Sequence, residues 1–293
     1  MTSEENGGVA SEKNGVVKEA VEIVTTVVYA LLIALVLRVL LFQPYTIPSA
    51  SMEPNLYEGD YIVVSKFNYG WSKHSIPFSP PLFNGRIFGH APHRGDIVVF
   101  KLPREAASTR VDYIKRLIGM PGDQLQVRAG KVYINGQPLP RQDMGPGIGD
   151  LPAEYAPATG GVDAPITRYQ ETAADGKKSY LIQKGDTTGQ ADNTGVYVIP
   201  AHCYFMMGDN RDNSDDSRFD PEMPSNLTGT QACGWDESVD KYLPPGEGVG
   251  FVPEEDLVGK AQIILLSWKP GSSLFNPTTW LNLRWDRWFH GLK

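Results

Sequence analysis

Lys115 lies in the middle of VDYIKRLIGM, residues 111–120, a stretch otherwise built like a β-strand. By period-two alternation Tyr113, Lys115 and Leu117 share one face, while Ile114, Arg116 and Ile118 share the other, so neither face can be buried without a charge. Two readings are open for the lysine. On an edge strand it discourages sheet-to-sheet pairing and reaches water with its head. Closed in by apolar neighbours, its charged form is disfavoured and its pKa falls from about 10.4 by as much as roughly 3 to 5 pH units, so that a neutral amine can take a proton from a hydroxyl. Arginine stays charged and is unsuited to that role.

Serines that could give up such a proton occur in QPYTIPSASMEPNLYEGDYIVV, residues 43–64. Pro44, Pro48 and Pro54 block helix formation, which leaves Ser49 and Ser51 in extended or turning chain. Serines beside prolines are also ordinary turn residues. A nucleophile needs in addition a base within hydrogen-bond reach and donors for an oxyanion.

Histidine is the more usual base, yet His74, His90, His93, His202 and His290 have no convincing acidic partner in the sequence. His90 and His93 could ligate a metal, but Pro92 rules out a regular helix and no further ligand completes the set, so no metal is expected. Ser238 and Lys241 form an S-x-x-K pair without the companion motifs of the penicillin-binding class. The acidic run DNRDNSDDSRFD, residues 209–220, lacks the glycine and closing glutamate of a calcium loop.

The elements that must position these residues are mostly strands. In 293 residues, 41% hydrophobic content with Gly 30 and Pro 23 favours a β-rich body with many turns. A net charge of -7 without a basic cluster excludes a nucleic-acid surface. Residues 1–19 have the composition of a disordered polar tail. Residues 20–42, AVEIVTTVVYALLIALVLRVLLF, are apolar except for Glu22 and Arg38. About 20 residues at about 1.5 Å each match a ~30 Å hydrocarbon layer, so one transmembrane helix is predicted. The run exceeds the ~7 to 15 residue core of a cleaved signal, which favours a retained anchor. Lys13 and Lys18 weigh toward a cytoplasmic amino terminus, with the large domain outside.

Beyond Pro44, strands are predicted at 61–67, 96–102, 111–120, 124–139, 178–183, 196–200 and 203–209, with a hairpin turn at Asn135-Gly136. Residues 140–168 and 219–248 are rich in Pro and Gly without periodicity and read as surface loops. Cys203 and Cys233 either pair in an oxidising compartment or stay as small buried hydrophobes.

Four ordered stretches resemble the bacterial type I signal peptidases, membrane endopeptidases that use a Ser-Lys pair. IPSASMEPNLYEGDYIVVSKFNYG (47–70) resembles their nucleophile segment, RGDIVVF (94–100) a following strand, DYIKRLIGMPGD (112–123) the lysine segment and MGDNRDNSDDSR (207–218) the carboxyl-side motif. The resemblance spans residues 43–268 outside the two loop regions. It implies Ser51 as nucleophile, Lys115 as general base, Ser214 as the hydroxyl that orients the lysine, and Asp216 with Arg218 as a supporting ion pair. The Ser51 N–H and the Ser49 hydroxyl would hold the oxyanion. Ile47, Met52, Leu56, Tyr113 and Ile114 would line a pocket for a small side chain, and Tyr45, Ile62 and Val99 a neighbouring one two residues upstream on the substrate.

The same resemblance implies a mainly β catalytic domain, ribbon- or barrel-like, tethered by one helix to the bacterial inner membrane on its extracytoplasmic side. It would cut signal peptides from exported preproteins after small-x-small sites without a cofactor, with the lipid bilayer and the secretion translocon as partners. Residues 269–293, with Trp280, Trp285 and Trp288 among basic residues, either lie at a membrane interface or pack on the body. Ala50 stands where the family often has glycine, which carries a cost if positive φ is required there. Asp215 adds a charge beside Asp216 that could raise the pKa of one carboxylate. Two rival readings stay open: a Ser-Lys processing protease with a dedicated substrate, and a tethered β-domain without activity.

Overall fold

The computed structural model describes residues 5–103, 111–149, 164–185, 189, 191–219, 233, 248–269, 272 and 276–292. A single helix, α1, runs Glu5–Leu40. Its stretch Lys18–Leu40 is long and apolar enough to cross a membrane, and none of that stretch is buried against the rest of the protein. The hydroxyls of Thr25 and Thr26 donate back to the carbonyls of Val21 and Glu22, so the two polar side chains are satisfied within the helix. Both helix limits differ from the sequence prediction. The polar tail continues α1, since a helix already nucleated by its apolar turns extends at little further cost. At the other end α1 stops at Leu40, and Phe42 already belongs to a strand.

The strands are β1 (Phe42–Thr46), β2 (Asp60–Ser65), β3 (Ile97–Lys101), β4 (Asp112–Gly119), β5 (Gln124–Arg128), β6 (Lys131–Ile134), β7 (Gln137–Pro138), β8 (Arg141–Gly149), β9 (Ala164–Thr172), β10 (Ser179–Gly185), β11 (Tyr197–Val198), β12 (Cys203–Met207), β13 (Val252–Pro253), β14 (Leu257–Ser267) and β15 (His290–Gly291). The main sheet has the order β1-β2-β14-β3-β4-β12-β13, with β15 added on β14; smaller sheets follow as β10-β9-β8 and β11-β5-β6-β7. The protein is therefore mainly β behind one apolar helix, the class its composition predicts. Asn135 and Gly136, at φ 52 and 78, turn β6 into β7 as the hairpin signal predicts.

Residues 140–168 are not one surface loop. Residues 141–149 form β8 and pair with β9, which starts at Ala164. The strand signal was hidden because most of β8 is exposed: with no buried side to fill, RQDMGPGIG shows no apolar alternation. Residues 219–248 lie mostly outside the described residues. Cys233 is described, and it forms a disulfide with Cys203 at a Cα separation of 5.7 Å, which resolves the open alternative.

Beneath the first strands lies one apolar cluster that includes Ile47, Met52, Leu56, Ile62, Val64, Ile97 and Val99. The three-stranded ribbon is fastened to the body through charge. Arg211 donates to both oxygens of Glu171 on β9, at 2.5 and 3.1 Å, with both side chains buried. Two histidines also have acidic partners that local sequence does not disclose: His74 lies 3.2 Å from Asp256 and His202 3.0 Å from Glu254. At the carboxyl end, Trp268 packs edge-on against Tyr61 at 5.1 Å, whereas Trp280 and Trp285 stay exposed. Arg287 reaches back to Asp60 and to the Asn55 carbonyl.

Glu171→Ala leaves Arg211 charged and buried without its carboxylate, so it should destabilise the protein by about 3 to 5 kcal/mol. The loss should appear as a lower midpoint in urea unfolding. A midpoint within error of the parent would show that the ribbon is held by its apolar contacts alone.

Candidate active site

The segment after β1 is extended at Ser49, with φ -142 and ψ 156, and then makes one 3-10 turn, Ala50–Met52. Ala50 keeps a negative φ in that turn, so alanine sits there without strain. Met52 and Leu56 anchor the segment in the core. From behind, the Asn210 N–H donates to the Ser51 carbonyl at 3.1 Å and the Asn210 side chain to the Ala50 carbonyl at 3.3 Å. The Asn55 amide donates to Asp209 and to the Leu181 carbonyl, both at 2.7 Å. Ser51 is thereby fixed from the carboxyl-side motif.

Strand β4 pairs with β3 on one side and β12 on the other, so it is interior to the sheet. Lys115 is buried, and its Nζ donates to Ser51 Oγ at 2.7 Å. It is not a solvated edge cation. Burial pushes its pKa down from 10.5 to about 8, while the carboxylates of Asp216, Asp215 and Asp209 pull in the opposite direction. The Tyr113 ring lies 5.4 Å from Nζ. On the other face Arg116 is buried as well, bound to both oxygens of Asp209 at 2.7 and 2.8 Å and to the Gly95 carbonyl at 2.6 Å. Its guanidinium lies 4.0 Å from the centre of the Tyr180 ring. Each face of β4 thus buries one cation with its own partner.

Asp216 and Arg218 form a buried pair through two bonds of 2.8 Å. Burial alone would raise the Asp216 pKa, but the Arg218 guanidinium and the Gly208 and Arg218 N–H groups hold it below the usual carboxylate range. Ser214 Oγ is buried and has no hydrogen-bond partner, so the implied bond from this hydroxyl to Lys115 is not formed. At Gly208 any side chain would collide with Ser214 Oγ and crowd the Ser51 carbonyl. Only glycine lets these chains approach so closely.

Ser51 and Lys115 open into a cleft of about 410 Å³ that Ser49, Tyr113, Ile114, Asn213, Glu58 and Asp215 also border. Ser49 Oγ is 3.3 Å from Ser51 Oγ. Of the residues expected to line substrate pockets, Tyr113 and Ile114 border the cleft. Ile47, Met52, Leu56, Ile62 and Val99 are instead fully buried in the apolar cluster, with Tyr45 and Ile114 packed against it. The tight packing of a core leaves these side chains no open face in this state. Among the described residues no group of three or more His, Cys, Asp or Glu is arranged to hold a metal.

The family described as signal peptidase, peptidase S26, matches residues 20–268. The chain belongs to this family. It is 36% identical over 248 residues to a signal peptidase I of Rickettsia typhi (strain ATCC VR-144 / Wilmington), a match covering 82% of this chain and 78% of the relative. With a signal peptidase I of Rickettsia felis (strain ATCC VR-1525 / URRWXCal2) it shares 35% over 248 residues, covering 82% and 77%. A signal peptidase I from Enterococcus faecalis V583, solved as a crystal structure, is 23% identical with a TM-score of 0.26, over 58% of this chain and 97% of that one.

Sequence reasoning about this signal peptidase family member missed the residues that hold the site together: Arg116, Asp209, Asn210, Asn55 and Gly208. One signal was present, since the polar GDN after the apolar CYFMM run of β12 has no reason to be buried unless it has partners.

The Lys115 pKa makes a stability prediction. Below about 8 both states carry the proton and the folded state bears the full cost of a buried charge. Between about 8 and 10.5 the unfolded chain binds more protons, so stability rises with pH; above 10.5 the cost is gone. Lys115→Met should therefore be more stable than the parent at neutral pH, and the gap should close as pH rises through that window. Parallel urea-unfolding curves across pH, with a constant gap, would contradict the buried amine.

Proposed function

We propose that the chain is a membrane-anchored serine endopeptidase that removes signal peptides from exported preproteins after small-x-small sites, with Ser51 as nucleophile and Lys115 as general base. The observation that carries this reading is the 2.7 Å contact between Lys115 Nζ and Ser51 Oγ at the bottom of a cleft, with the amine pushed down to about 8 by burial. Near neutral pH a usable fraction of Lys115 is the free amine. Its lone pair takes the Ser51 proton as Oγ attacks the scissile carbonyl carbon. The resulting oxyanion is met by the Ser51 N–H and the Ser49 hydroxyl. Lys115, now an ammonium, protonates the leaving amine, and the bond to the mature protein breaks. Water then gives a proton to Lys115 and attacks the Ser51 ester, and Lys115 returns that proton to Ser51 Oγ as the signal peptide leaves.

The buried, unpartnered Ser214 hydroxyl is assigned to orienting Lys115 when substrate fills the cleft, because catalytic hydrogen bonds often tighten only in the complex. Asp216 and Arg218 position it through the Gly208 N–H. Tyr113 and Ile114 would border the small side chain of the substrate at the cleft wall, backed by Ile47, Met52 and Leu56, while Tyr45, Ile62 and Val99 support the neighbouring pocket. Helix α1 would span the bacterial inner membrane with residues 1–19 in the cytoplasm. The Cys203–Cys233 disulfide supports an extracytoplasmic catalytic domain, since such bonds persist in oxidising compartments. Anchoring near bilayer-held substrates raises their effective concentration.

Ser51→Ala and Lys115→Met should each lower preprotein cleavage by roughly a thousandfold or more, and the double variant should lose no more than either alone. Lys115→Arg should be as inactive, and the parent's rate should climb along an acid limb with a midpoint near the Lys115 value of about 8. Parent-like cleavage by Lys115→Arg would remove the lysine from the chemistry. Ser214→Ala should cost roughly a hundredfold in cleavage through lost geometry. Its urea midpoint should stay at the parental value; an equal loss of stability would make Ser214 a packing residue only.

A further inference from the structure

Strand β10 closes the three-stranded ribbon with one edge and meets the chain beyond β12 with the other. There the Gln183 N–H donates to the Asp209 carbonyl at 2.9 Å, and the Gln183 carbonyl accepts from the Arg211 N–H at 3.0 Å, a short parallel pairing. The next residue of the strand continues the contact with its side chain. Lys184 Nζ lies 2.9 and 3.2 Å from the two oxygens of Asp212, and the Gly185 N–H donates to the same carboxylate at 2.8 Å. The Asp212 side chain is 2% exposed and that of Lys184 12%, so water has little part in holding them.

Lys184 Nζ is also 2.7 Å from Asp192. Asp192 is fixed on its own account, since its carboxylate accepts from the Gly189 N–H at 2.8 Å and its carbonyl from the Gly130 N–H at 3.0 Å. A side chain at Gly189 would collide with the Asp212 carboxylate and lie against that of Asp192, so the two carboxylates converge on one spot. One ammonium joins them. Without it two poorly hydrated like charges would repel, and Asp212 is the one whose chain leads to the active site.

Asp212 is followed by Asn213, which borders the cleft, and then by Ser214, whose buried hydroxyl is assigned above to orienting Lys115. The chain before Asp212 has a separate hold, because Glu171 on β9 grips Arg211. Loss of the Lys184 contact therefore acts on the stretch from Asp212 to Ser214. We infer that Lys184 is a positioning residue for peptide cleavage: it holds Asp212 against β10 and so fixes where Ser214 stands relative to Lys115. The inference rests on the role given to Ser214 under the proposed function. It gives the ribbon a task in the reaction, although no ribbon residue forms part of the Ser51–Lys115 pair.

The test is preprotein cleavage by the full chain in detergent, with urea unfolding of each variant to show that it is folded under assay conditions. Lys184→Met should lower kcat roughly tenfold and leave KM within about twofold of the parent, since geometry is lost and binding is not. Lys184→Arg, which keeps a cation able to bond carboxylates, should restore most of that loss. In the double variant of Lys184→Met with Ser214→Ala, kcat should equal that of Ser214→Ala alone, because Lys184 acts through that hydroxyl. Should Lys184→Met not fold, Asp212→Asn carries the same test, as it keeps the shape and the bond from Gly185 while losing the charge that Lys184 holds. Losses that multiply in the double variant, a Lys184→Arg no better than Lys184→Met, or a parental kcat in Lys184→Met beside a roughly hundredfold loss in Ser214→Ala would overturn the inference and leave the proposed function standing. A parental kcat in Ser214→Ala would remove the role of Ser214 itself, and the inference with it.

Discussion

Lys115 Nζ lies 2.7 Å from Ser51 Oγ in a place where its charged form is poorly solvated, and the surrounding structure follows from placing an amine there. To be buried, Lys115 must sit on an interior strand, and β4 is flanked by β3 and β12. The opposite face of β4 is covered too, so the adjacent Arg116 is also buried and needs a carboxylate. That carboxylate is Asp209, whose neighbour Asn210 grips the carbonyls of Ala50 and Ser51. One strand thus carries the amine and, through its second cation, fixes the residues that hold the hydroxyl opposite it.

The depth of the pKa shift is a balance. Burial alone would push Lys115 further down, whereas Asp216, Asp215 and Asp209 favour the ammonium. Asp216 would pull harder if Arg218 did not hold it in a pair of its own. The result near 8 leaves a base that is partly free at neutral pH yet strong enough to take a serine proton. Ser214 and Gly208 complete the arrangement by geometry: the glycine lets three chain segments close in, and the serine hydroxyl is left buried without a partner.

Lys115 stood out in the sequence because a lysine inside an apolar strand conflicts with folding, and such conflicts concentrate at functional sites, whereas Ser51 was singled out by the family resemblance. The β class, the apolar helix and the Asn135-Gly136 hairpin were legible for a similar reason, since each is written in local pattern. What escaped was non-local. Arg116 and Asp209 are 93 residues apart, and nothing near either announces the other. His74 and Asp256 meet in the same way across the fold. Ile47, Met52, Leu56, Ile62 and Val99, expected to line pockets, lie in the apolar cluster, and in sequence an apolar residue reads the same whether it backs a cleft or fills a core. Strand β8 was overlooked because an exposed ribbon needs no alternation.

The central claim is that Lys115 is a depressed-pKa amine, and its own titration tests this most directly. In side-chain nitrogen NMR of the full chain labelled at lysine, two signals should titrate near 8, because Lys66 is also buried and pushed down to about 8. One of the two should vanish in Lys115→Met, and the same signal should shift when Ser51 is replaced by alanine. If Lys115→Met instead removes a signal that titrates at the ordinary lysine value of 10.5, the amine is an ordinary cation and the account of the site is wrong.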